Sequence, residues 1–376
     1  MTTQLDVQTT AEGQATKAVS LVDVDIHPVV LAPDLARRLP ERWAKHLERF
    51  GRRAPFVTDL YPRPRNKGMR ADSWPEGGVP GSDYDLLREQ LLDEHDIDFG
   101  ILLCLVPHDA GYEHPELDAA INRAVNDCMA EEWMDRDERL RSSILVPFEH
   151  PALAVKEIER VAGDHRFVQL LLPASGQEPF GSRKYWPVYA AAAEAGLPVA
   201  FHTGGYTGHR GAGWPSFYLE EHAGYGVIMQ MLLTSLVCEG TFAAIPDLKV
   251  VMTEGGALWA AALRWRLDEA YRQLRDEVPE LTRLPSEYIR DHVWFDTQPM
   301  EEPDDPAHFL QIMEQAELED RLMFATDYPH WDFDAPAQSL PRGLTKEQRT
   351  KLLAGTACDL YGLPTTVPVE RAHGGR

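Results

Sequence analysis

The sequence predicts a (β/α)₈ barrel, and three observations lead to this fold class. Eight short apolar runs alternate with stretches of helical spacing along most of the 376 residues. Some runs are unbroken in their apolar character, as expected of parallel strands that helices cover on both faces. The first run is followed by Asp-Ile-His-Pro rather than by a glycine-rich phosphate-binding turn, which favours a closed barrel over an open, doubly wound sheet.

The first predicted strand, Ser20–Ile26, precedes a long segment rich in Pro, Gly and Arg. Connections of this length within a compact domain are usually lids, binding loops or disordered insertions. We predict that residues 29–82 form a lid inserted after the first strand. Within this lid, Pro40–Phe50 has helical spacing, whereas Arg63–Pro80 has the punctuation of an irregular loop. The lid is therefore expected to be partly helical.

The rest of the chain alternates between helix and strand patterns. The other seven predicted strands are Ile97–Val106, Ser142–Pro147, Phe167–Leu172, Pro198–His202, Leu248–Thr253, Val293–Asp296 and Leu322–Thr326. The predicted helices are Tyr84–Glu94, Pro115–Asp135, Ala152–Ala162, Tyr185–Ala195, Gly224–Glu239, Ala257–Arg275, Pro306–Gln315 and Lys346–Leu360. We expect one barrel domain, residues 20–363, between a disordered leader (1–19) and a disordered tail (364–376).

Composition restricts the class of partner. The 37 Lys and Arg residues against 60 Asp and Glu give a formal net charge of −23, which disfavours binding to nucleic acid or to an anionic membrane surface. Residues 1–19 lack the basic and apolar regions of a secretory signal, and no run approaches the roughly 18 apolar residues of a membrane span. We therefore expect a cytoplasmic protein that acts on a small molecule.

Four residues that could bind a divalent metal stand at the C-terminal ends of predicted strands. Asp25 and His27 end the first strand on the same side of the chain, His202 ends the fifth, and Asp327 follows the eighth. In a parallel barrel these ends meet at one face. Each residue alone has an ordinary structural alternative, such as a cap or an Asx turn. Together they favour a site for one divalent ion.

Further titratable residues lie at the same ends of strands or in the loops that follow. Glu254 could act as a general acid or base near the cation or could orient a metal ligand, and a buried ion pair with an arginine is the structural alternative. Asp296 has an equal chance of a structural role. His222 and His330 are candidate substrate contacts, although a surface or capping role suits both equally well.

Five segments carry a resemblance to a known family. They are VDVDIH (22–27), FHTGG (201–205), LKVVMTEGG (248–256), WFDT (294–297) and LMFATDYPH (322–330). In this order they resemble the amidohydrolase-related family that includes aminocarboxymuconate-semialdehyde decarboxylase. The resemblance runs from about residue 21 to residue 363. It implies a (β/α)₈ barrel that decarboxylates aromatic or unsaturated acids without oxidation, or that hydrates or hydrolyses its substrate.

The resemblance also implies a metal, ligands and an assembly. One divalent ion, usually zinc and sometimes manganese, would be bound by His27, His202 and Asp327, with Asp25 standing where the family more often has His or Glu. An arginine of the lid would hold a substrate carboxylate, and a homodimer is the expected assembly. Of the lid residues we select Arg70 for its bidentate geometry and Trp74 for closure over an apolar substrate, against the alternatives of a solvated arginine and a tryptophan packed on the rim.

Glu254 departs from the family pattern, because family decarboxylases carry His-Gly-Gly where this chain has Glu254-Gly255-Gly256. A carboxylate there would serve as a base toward water and would repel a substrate carboxylate. We therefore predict a metal-dependent hydrolase in which a divalent ion, zinc or alternatively manganese, activates water, with Asp327 and Glu254 as catalytic residues. A nonoxidative decarboxylase and a noncatalytic metal-stabilised binding protein are the alternatives.

Overall fold

A computed structural model of the chain describes residues 7–9, 15–51, 65–105, 114–203 and 215–369. Its strands form a small antiparallel sheet of three and a parallel sheet of eight. The small sheet contains β1 (Val7–Thr9), β2 (Ala15–Ala18) and β11 (Thr366–Pro368). The large sheet contains β3 (Val22–Ile26), β4 (Phe99–Leu102), β5 (Leu140–Leu145), β6 (Phe167–Pro173), β7 (Val199–His202), β8 (Val250–Thr253), β9 (Val293–Asp296) and β10 (Leu322–Met323).

The large sheet is a parallel barrel, as the sequence predicts. Its strands are neighbours in chain order from β3 to β10. At the seam, Val24 N donates to Phe324 O at 3.1 Å and His27 N donates to Tyr328 O at 2.8 Å. These backbone bonds join the last strand to the first. All residues of β3, β4 and β6 to β9 are buried, and each large apolar side chain contributes about 1.5–3 kcal/mol when removed from water.

Helices surround the barrel. They are α1 (Ala32–Arg38), α2 (Glu41–Phe50), α3 (Tyr84–Leu87), α4 (Pro115–Cys128), α5 (Pro151–Val161), α6 (Trp186–Glu194), α7 (Tyr218–Ala223), α8 (Tyr225–Cys238), α9 (Thr241–Ala244), α10 (Trp259–Leu274), α11 (Pro285–His292), α12 (Pro306–Gln315), α13 (Lys346–Thr350) and α14 (Thr356–Tyr361). A proline stands in the first turn of several of them, where its missing N–H has no partner to lose. Among the described residues, none of these helices is long and apolar enough to cross a membrane.

The chain ends depart from the sequence prediction. Ala15–Ala18 and Thr366–Pro368 are strands, so the expectation of disorder over 1–19 and 364–376 is wrong for these residues. They pair with each other in antiparallel register, with Val367 opposite Lys17. β2 also pairs with β1, which lies only a few residues earlier, whereas β11 comes from the opposite end of the chain. Short polar segments of this kind form strands only when tertiary structure brings them together.

The predicted lid divides into two parts with different positions. Residues 32–50 form α1 and α2, and Arg38 of α1 bonds to Glu131 at 2.6 Å and to Glu132 at 2.8 Å, beyond the end of α4. This part therefore packs among the outer helices. Residues 65–82 run along the barrel mouth, where Val29 N donates to Gly81 O at 2.8 Å. Residues 52–64, which include Arg63, lie outside the described residues, and closure of the lid remains a prediction.

Candidate metal centre at the barrel mouth

The side chains of Asp25 and His27 enter the barrel mouth from the end of β3. His27 Nδ1 lies 3.1 Å from the carbonyl oxygen of Leu103, so a proton on this nitrogen is donated to the backbone. His27 Nε2 lies 2.8 Å from Asp327 Oδ1 and 3.2 Å from Asp25 Oδ1. A histidine that donates through one ring nitrogen presents the other as a lone pair, which is how metal-binding histidines are oriented.

His202 is oriented in the same way from the end of β7. Its Nδ1 lies 2.6 Å from the carbonyl oxygen of Thr203. Its Nε2 lies 3.7 Å from Asp25 Oδ2 and 3.1 Å from Glu254 Oε2. The first and fifth barrel strands thus bring one carboxylate and two imidazoles to the same point. Residues 204–214, which include the glycines after His202, lie outside the described residues.

Asp327 completes the group from the segment that follows β10. Its Oδ1 lies 2.8 Å from His27 Nε2 and 2.5 Å from His330 Nδ1. The backbone of Asp327 has a φ of +58°, which turns the chain sharply after the strand. His330, three residues later, therefore contacts a candidate ligand directly. It lies in the loop after the last barrel strand, as the sequence predicts, and its ring belongs to the cluster.

Unpartnered polar atoms show that this group fits a cation. Asp25 Oδ1 and Oδ2, His202 Nε2 and Asp327 Oδ2 are buried and make no hydrogen bond in the described part of the chain. Ligand atoms from Asp25, His27 and His202 all lie within 4.8 Å of one another, as do those from His27, Asp327 and His330. Buried polar atoms without partners are costly, and a divalent ion would satisfy all of them at once.

The pKa values within the cluster shift because its carboxylates and imidazoles attract each other. Burial disfavours the charged forms, but attraction between the groups outweighs it. The pKa of Asp25 falls below its usual range because His27 and His202 are adjacent, and that of Asp327 falls because of His330 and His27. The pKa of His27 rises well above its usual value beside Asp25. A bound cation would displace those histidine protons, because a metal-bound imidazole is neutral.

Glu254 and Asp296 lie at the next strand ends. Glu254 follows β8 with a φ of +55°, and its carboxylate accepts a hydrogen bond from the Thr203 hydroxyl. Its backbone N–H donates to Asp296 Oδ1 at 3.2 Å. Burial raises the pKa of Glu254 and raises that of Asp296 well above its usual value. Glu254 therefore contacts a candidate ligand, His202, and the arginine partner of the structural alternative is not among its contacts in the described residues.

Around this cluster lies a band of aromatic and polar residues. His222 Nε2 lies 2.7 Å from Asp332 Oδ2, and its ring centroid lies 5.7 Å from that of Trp331. The indole N–H of Trp331 donates to the hydroxyl of Tyr218 at 2.9 Å. The hydrogen bond with Asp332 raises the pKa of His222, to which the charges of Glu254 and Asp327 contribute. His222 therefore lies within range of the charges of Glu254 and Asp327, and its contact with a substrate stays a prediction.

Arg70 and Trp74 do not reach the cluster. The Arg70 guanidinium makes two hydrogen bonds to Asp72, at 3.0 and 2.8 Å, and lies 4.4 Å from the ring centre of Phe333. Trp74 is 37% exposed, and Lys67 Nζ lies 5.6 Å from its ring. These contacts do not involve the cluster, and the selection of the two residues as substrate contacts stays a prediction. Arg70 is held by a local contact, because the carboxylate of Asp72 accepts the two guanidinium N–H groups that could otherwise bind a substrate carboxylate.

Sequence reasoning missed Asp23, Thr203, Thr326 and Asp332. Asp23 was within reach, because residues 23, 25 and 27 share one face of a strand. The partners of the others depend on contacts between distant segments, such as the 110 positions that separate His222 from Asp332. Periodicity within one element carries no information about such contacts.

Comparison with known proteins identifies relatives over most of the chain. The model of the amidohydrolase family matches residues 22–363. A gamma-resorcylate decarboxylase of Polaromonas sp. is 24% identical over 312 residues, which are 77% of this chain and 91% of that protein. The structure of 5-carboxyvanillate decarboxylase from Sphingomonas paucimobilis superposes with a TM-score of 0.67 at 19% identity, covering 92% of this chain and all of that one.

A further solved structure contains a metal. It is a dihydroxybenzoic acid decarboxylase of Polaromonas sp. with bound manganese and the inhibitor 2-nitroresorcinol. Its TM-score is 0.62 at 19% identity, with 92% of this chain and 97% of that chain covered. At this level of identity, the structural likeness establishes a shared fold.

Proposed function

We propose that this chain, which belongs to the amidohydrolase family, is a divalent metal-dependent decarboxylase of an aromatic acid. It is an enzyme of that superfamily, and the sequence relative reported above is a gamma-resorcylate decarboxylase. The proposal therefore reverses the order of the two reactions that the sequence suggested, in which hydrolysis came first. The observation that carries it is the buried cluster of carboxylate and imidazole atoms without hydrogen-bond partners at the barrel mouth.

Asp25, His27, His202 and Asp327 would hold the cation. Two carboxylates and two neutral imidazoles suit zinc or manganese. When bound, such an ion supplies a Lewis acid that polarises substrate oxygens. The chain contributes the orientation of the ligands through the backbone carbonyls of Leu103 and Thr203, which fix the two histidines. The cluster is buried, so the surrounding protein excludes most water from it.

Asp327 is the proposed proton donor to carbon. Its Oδ1 is held by His27 and His330, which leaves Oδ2 as the atom that faces a substrate. Asp327 is ionised before the reaction because its pKa is lowered, so it would first take a proton from water or from the acid substrate. The bond between the ring carbon and the carboxyl carbon would then break, carbon dioxide would leave, and the proton from Asp327 would go to the electron pair on the ring carbon. The product is the corresponding arene, and Asp327 recovers its proton from water.

Glu254, His222 and His330 are proposed to support this step. Glu254 contacts both Thr203 and His202, so it can orient a ligand and exchange a proton at the mouth. His330 steadies the Asp327 carboxylate, and His222, held by Asp332, is placed to contact a polar group on the substrate ring. The neighbouring rings of Tyr218 and Trp331 provide a surface on which an aromatic substrate can pack.

Hydrolysis is the second candidate, and Glu254 is the observation that favours it. A carboxylate beside a metal-binding histidine can take a proton from water. It would also oppose the approach of a negatively charged substrate. A neutral ester, amide or lactone would meet no such repulsion.

The two candidates are separated by a product assay. The purified protein, loaded with Zn²⁺ or Mn²⁺, is incubated with a panel of hydroxybenzoic acids and, separately, with phenyl esters, amides and lactones. We expect carbon dioxide and the matching phenol from at least one acid. Hydrolysis of a neutral substrate without any carbon dioxide release would reject the decarboxylase in favour of the hydrolase.

Asp327→Asn tests the proton donor in the same assay. We expect a loss of activity of about 10²- to 10⁴-fold, the range of general acid catalysis. Asp304→Asn, at an exposed position, is the matched control and should retain full activity. Activity of Asp327→Asn within threefold of the parent would assign the proton transfer to another residue.

A further inference from the structure

We propose that Asp23 is a positioning residue that sets the distance between the ligands of the first barrel strand and the ligand of the last. The inference deepens the proposed function, because it rests on a cation bound by Asp25, His27, His202 and Asp327. It concerns a residue that the metal site itself does not contain. The observation that supports this role is the contact of Asp23 with Thr326 across the seam of the barrel.

The Asp23 carboxylate is enclosed in the barrel interior. The residue has no exposed surface, and it shares the inward face of β3 with Asp25 and His27. Its Oδ1 accepts hydrogen bonds from Thr326 N at 3.0 Å and from Asp25 N at 3.2 Å. Its Oδ2 accepts from the Thr326 hydroxyl at 2.5 Å. Both oxygens are therefore occupied, in contrast to those of Asp25, so Asp23 is a structural anchor rather than a ligand.

The position of these contacts is what relates them to the metal site. The seam between β3 and β10 is where the barrel closes, and the ligands lie on both sides of it. Backbone hydrogen bonds cross the seam from Val24 to Phe324 and from His27 to Tyr328. Between them, the N–H of Thr326 is bonded to the side chain of Asp23. A side chain thus connects the two strands at the residue that immediately precedes Asp327.

One carboxylate consequently holds two ligand-bearing backbones. Through Asp25 N it fixes the chain that presents Asp25, and through Thr326 it fixes the start of the turn that presents Asp327. That turn has a φ of +58° at Asp327, a conformation that is unfavourable for a non-glycine residue unless its surroundings hold it. Metal ligands need to be placed within roughly 0.5 Å. Loss of the link should therefore weaken metal binding more than it weakens the fold.

Thr326→Val is the sharpest variant. It removes the hydroxyl bond to Asp23 while keeping the shape of the side chain and its backbone N–H. Thr326→Ser restores the hydroxyl, Asp23→Asn removes the charge from the other partner, and the double variant combines Asp23→Asn with Thr326→Val. Thr241→Val, at a fully buried threonine on α9, controls for loss of a buried hydroxyl elsewhere.

Metal affinity is measured by competition with a chelator for Zn²⁺ and Mn²⁺, and the visible spectrum of the Co²⁺-loaded protein reports ligand geometry. We expect Thr326→Val and Asp23→Asn each to lower metal affinity by about 10- to 100-fold and to change the Co²⁺ spectrum, as loss of a residue that supports ligands does. Thr326→Ser should recover most of the affinity. The double variant should lose little more than the larger single loss, since both changes break the same link.

Unchanged affinity and an unchanged Co²⁺ spectrum in Thr326→Val, whatever its melting temperature, would overturn the proposal. The same holds if Thr241→Val lowers affinity equally. None of these readouts depends on turnover. If the parent protein binds metal but decarboxylates no acid of the panel, the proposed reaction fails while the role of Asp23 is still decided.

Discussion

Two groups of residues at the barrel mouth differ in whether their polar atoms have partners. The inner group is Asp25, His27, His202 and Asp327, and the outer group is Arg70, Tyr218, His222, Trp331 and Asp332. Four atoms of the inner group are buried without a hydrogen bond. In the outer group, Arg70 is paired with Asp72, His222 with Asp332, and Trp331 with Tyr218.

The difference separates groups built for a ligand from groups that already satisfy each other. An unpaired buried polar atom costs on the order of 1–3 kcal/mol, and several at one point persist when something outside the chain completes them. The outer group has no such deficit, so changes there should affect substrate contacts and leave metal binding intact. Changes in the inner group should therefore have larger effects than changes in the outer group.

The largest effect is expected from His202→Ala. It removes one imidazole of the inner group and leaves Asp25 without that neighbour. We expect the variant to lose metal at concentrations that saturate the parent protein, and to lose the rise in melting temperature that metal gives the parent. A ligand at 100 times its dissociation constant stabilises by about 2.7 kcal/mol, which this variant should forgo. Metal content by elemental analysis and melting temperature with and without chelator provide the measurement.

His292→Ala is the control for His202→Ala. His292 is also buried and also bonds through Nδ1 to a backbone carbonyl, that of Leu248, but it lies on α11. Its loss should lower the melting temperature and leave metal content unchanged. Equal metal loss in both variants would show that unfolding, rather than removal of a ligand, causes it, and the distinction between the two groups would fail.

The inner group was predictable from sequence because each member stands at the end of a strand. The rule that parallel strands end at one face converts four separate positions into one site. In the outer group, the pairing of His222 with Asp332 was not predictable, since it depends on how α7 meets the loop after β10. The link between Asp23 and Thr326 depends on the register of a seam that joins residues 303 positions apart. The local sequence pattern indicates that a strand is present. The register between the first and last strands is instead determined by the closure of the barrel.

The lid contains a helix that its sequence pattern did not indicate. The helix α1 lies in a part of the lid for which no helix was predicted, yet its Leu35 is buried. A short helix of this kind gains its stability from packing against the barrel helices rather than from its own sequence. Conversely, the pairing of Arg70 with Asp72 is local, and spacing alone could have indicated it.

An intermediate effect is expected from His222→Phe. The change keeps an aromatic ring beside Tyr218 and Trp331 and removes the hydrogen bond with Asp332. Loss of one hydrogen bond to substrate corresponds to about tenfold or less in kcat/KM. Metal content should equal that of the parent. The measurement is kcat/KM on the best acid of the panel, together with elemental analysis.

Asp332→Asn is the companion of His222→Phe. If the pair acts as a unit, both variants should lose similar activity, and their combination should lose no more than either. Metal loss in either variant would move this pair into the inner group and contradict the comparison. Full activity in both would remove His222 from the proposed substrate contacts.

The smallest effect is expected from Arg70→Gln. Its guanidinium is committed to Asp72, whose side chain is 58% exposed, and such pairs contribute about 0–1 kcal/mol to stability. We expect kcat/KM within about twofold of the parent, because no inner-group atom contacts Arg70 in the described residues. Arg65→Gln, at an exposed arginine of the same segment, is the control. If KM for an acid substrate rises more than tenfold in Arg70→Gln and is unchanged in Arg65→Gln, Arg70 leaves Asp72 to bind the substrate carboxylate. The arginine that the family resemblance implies would then be Arg70 after all, and the outer group would contain one residue whose pairing is exchanged when substrate binds.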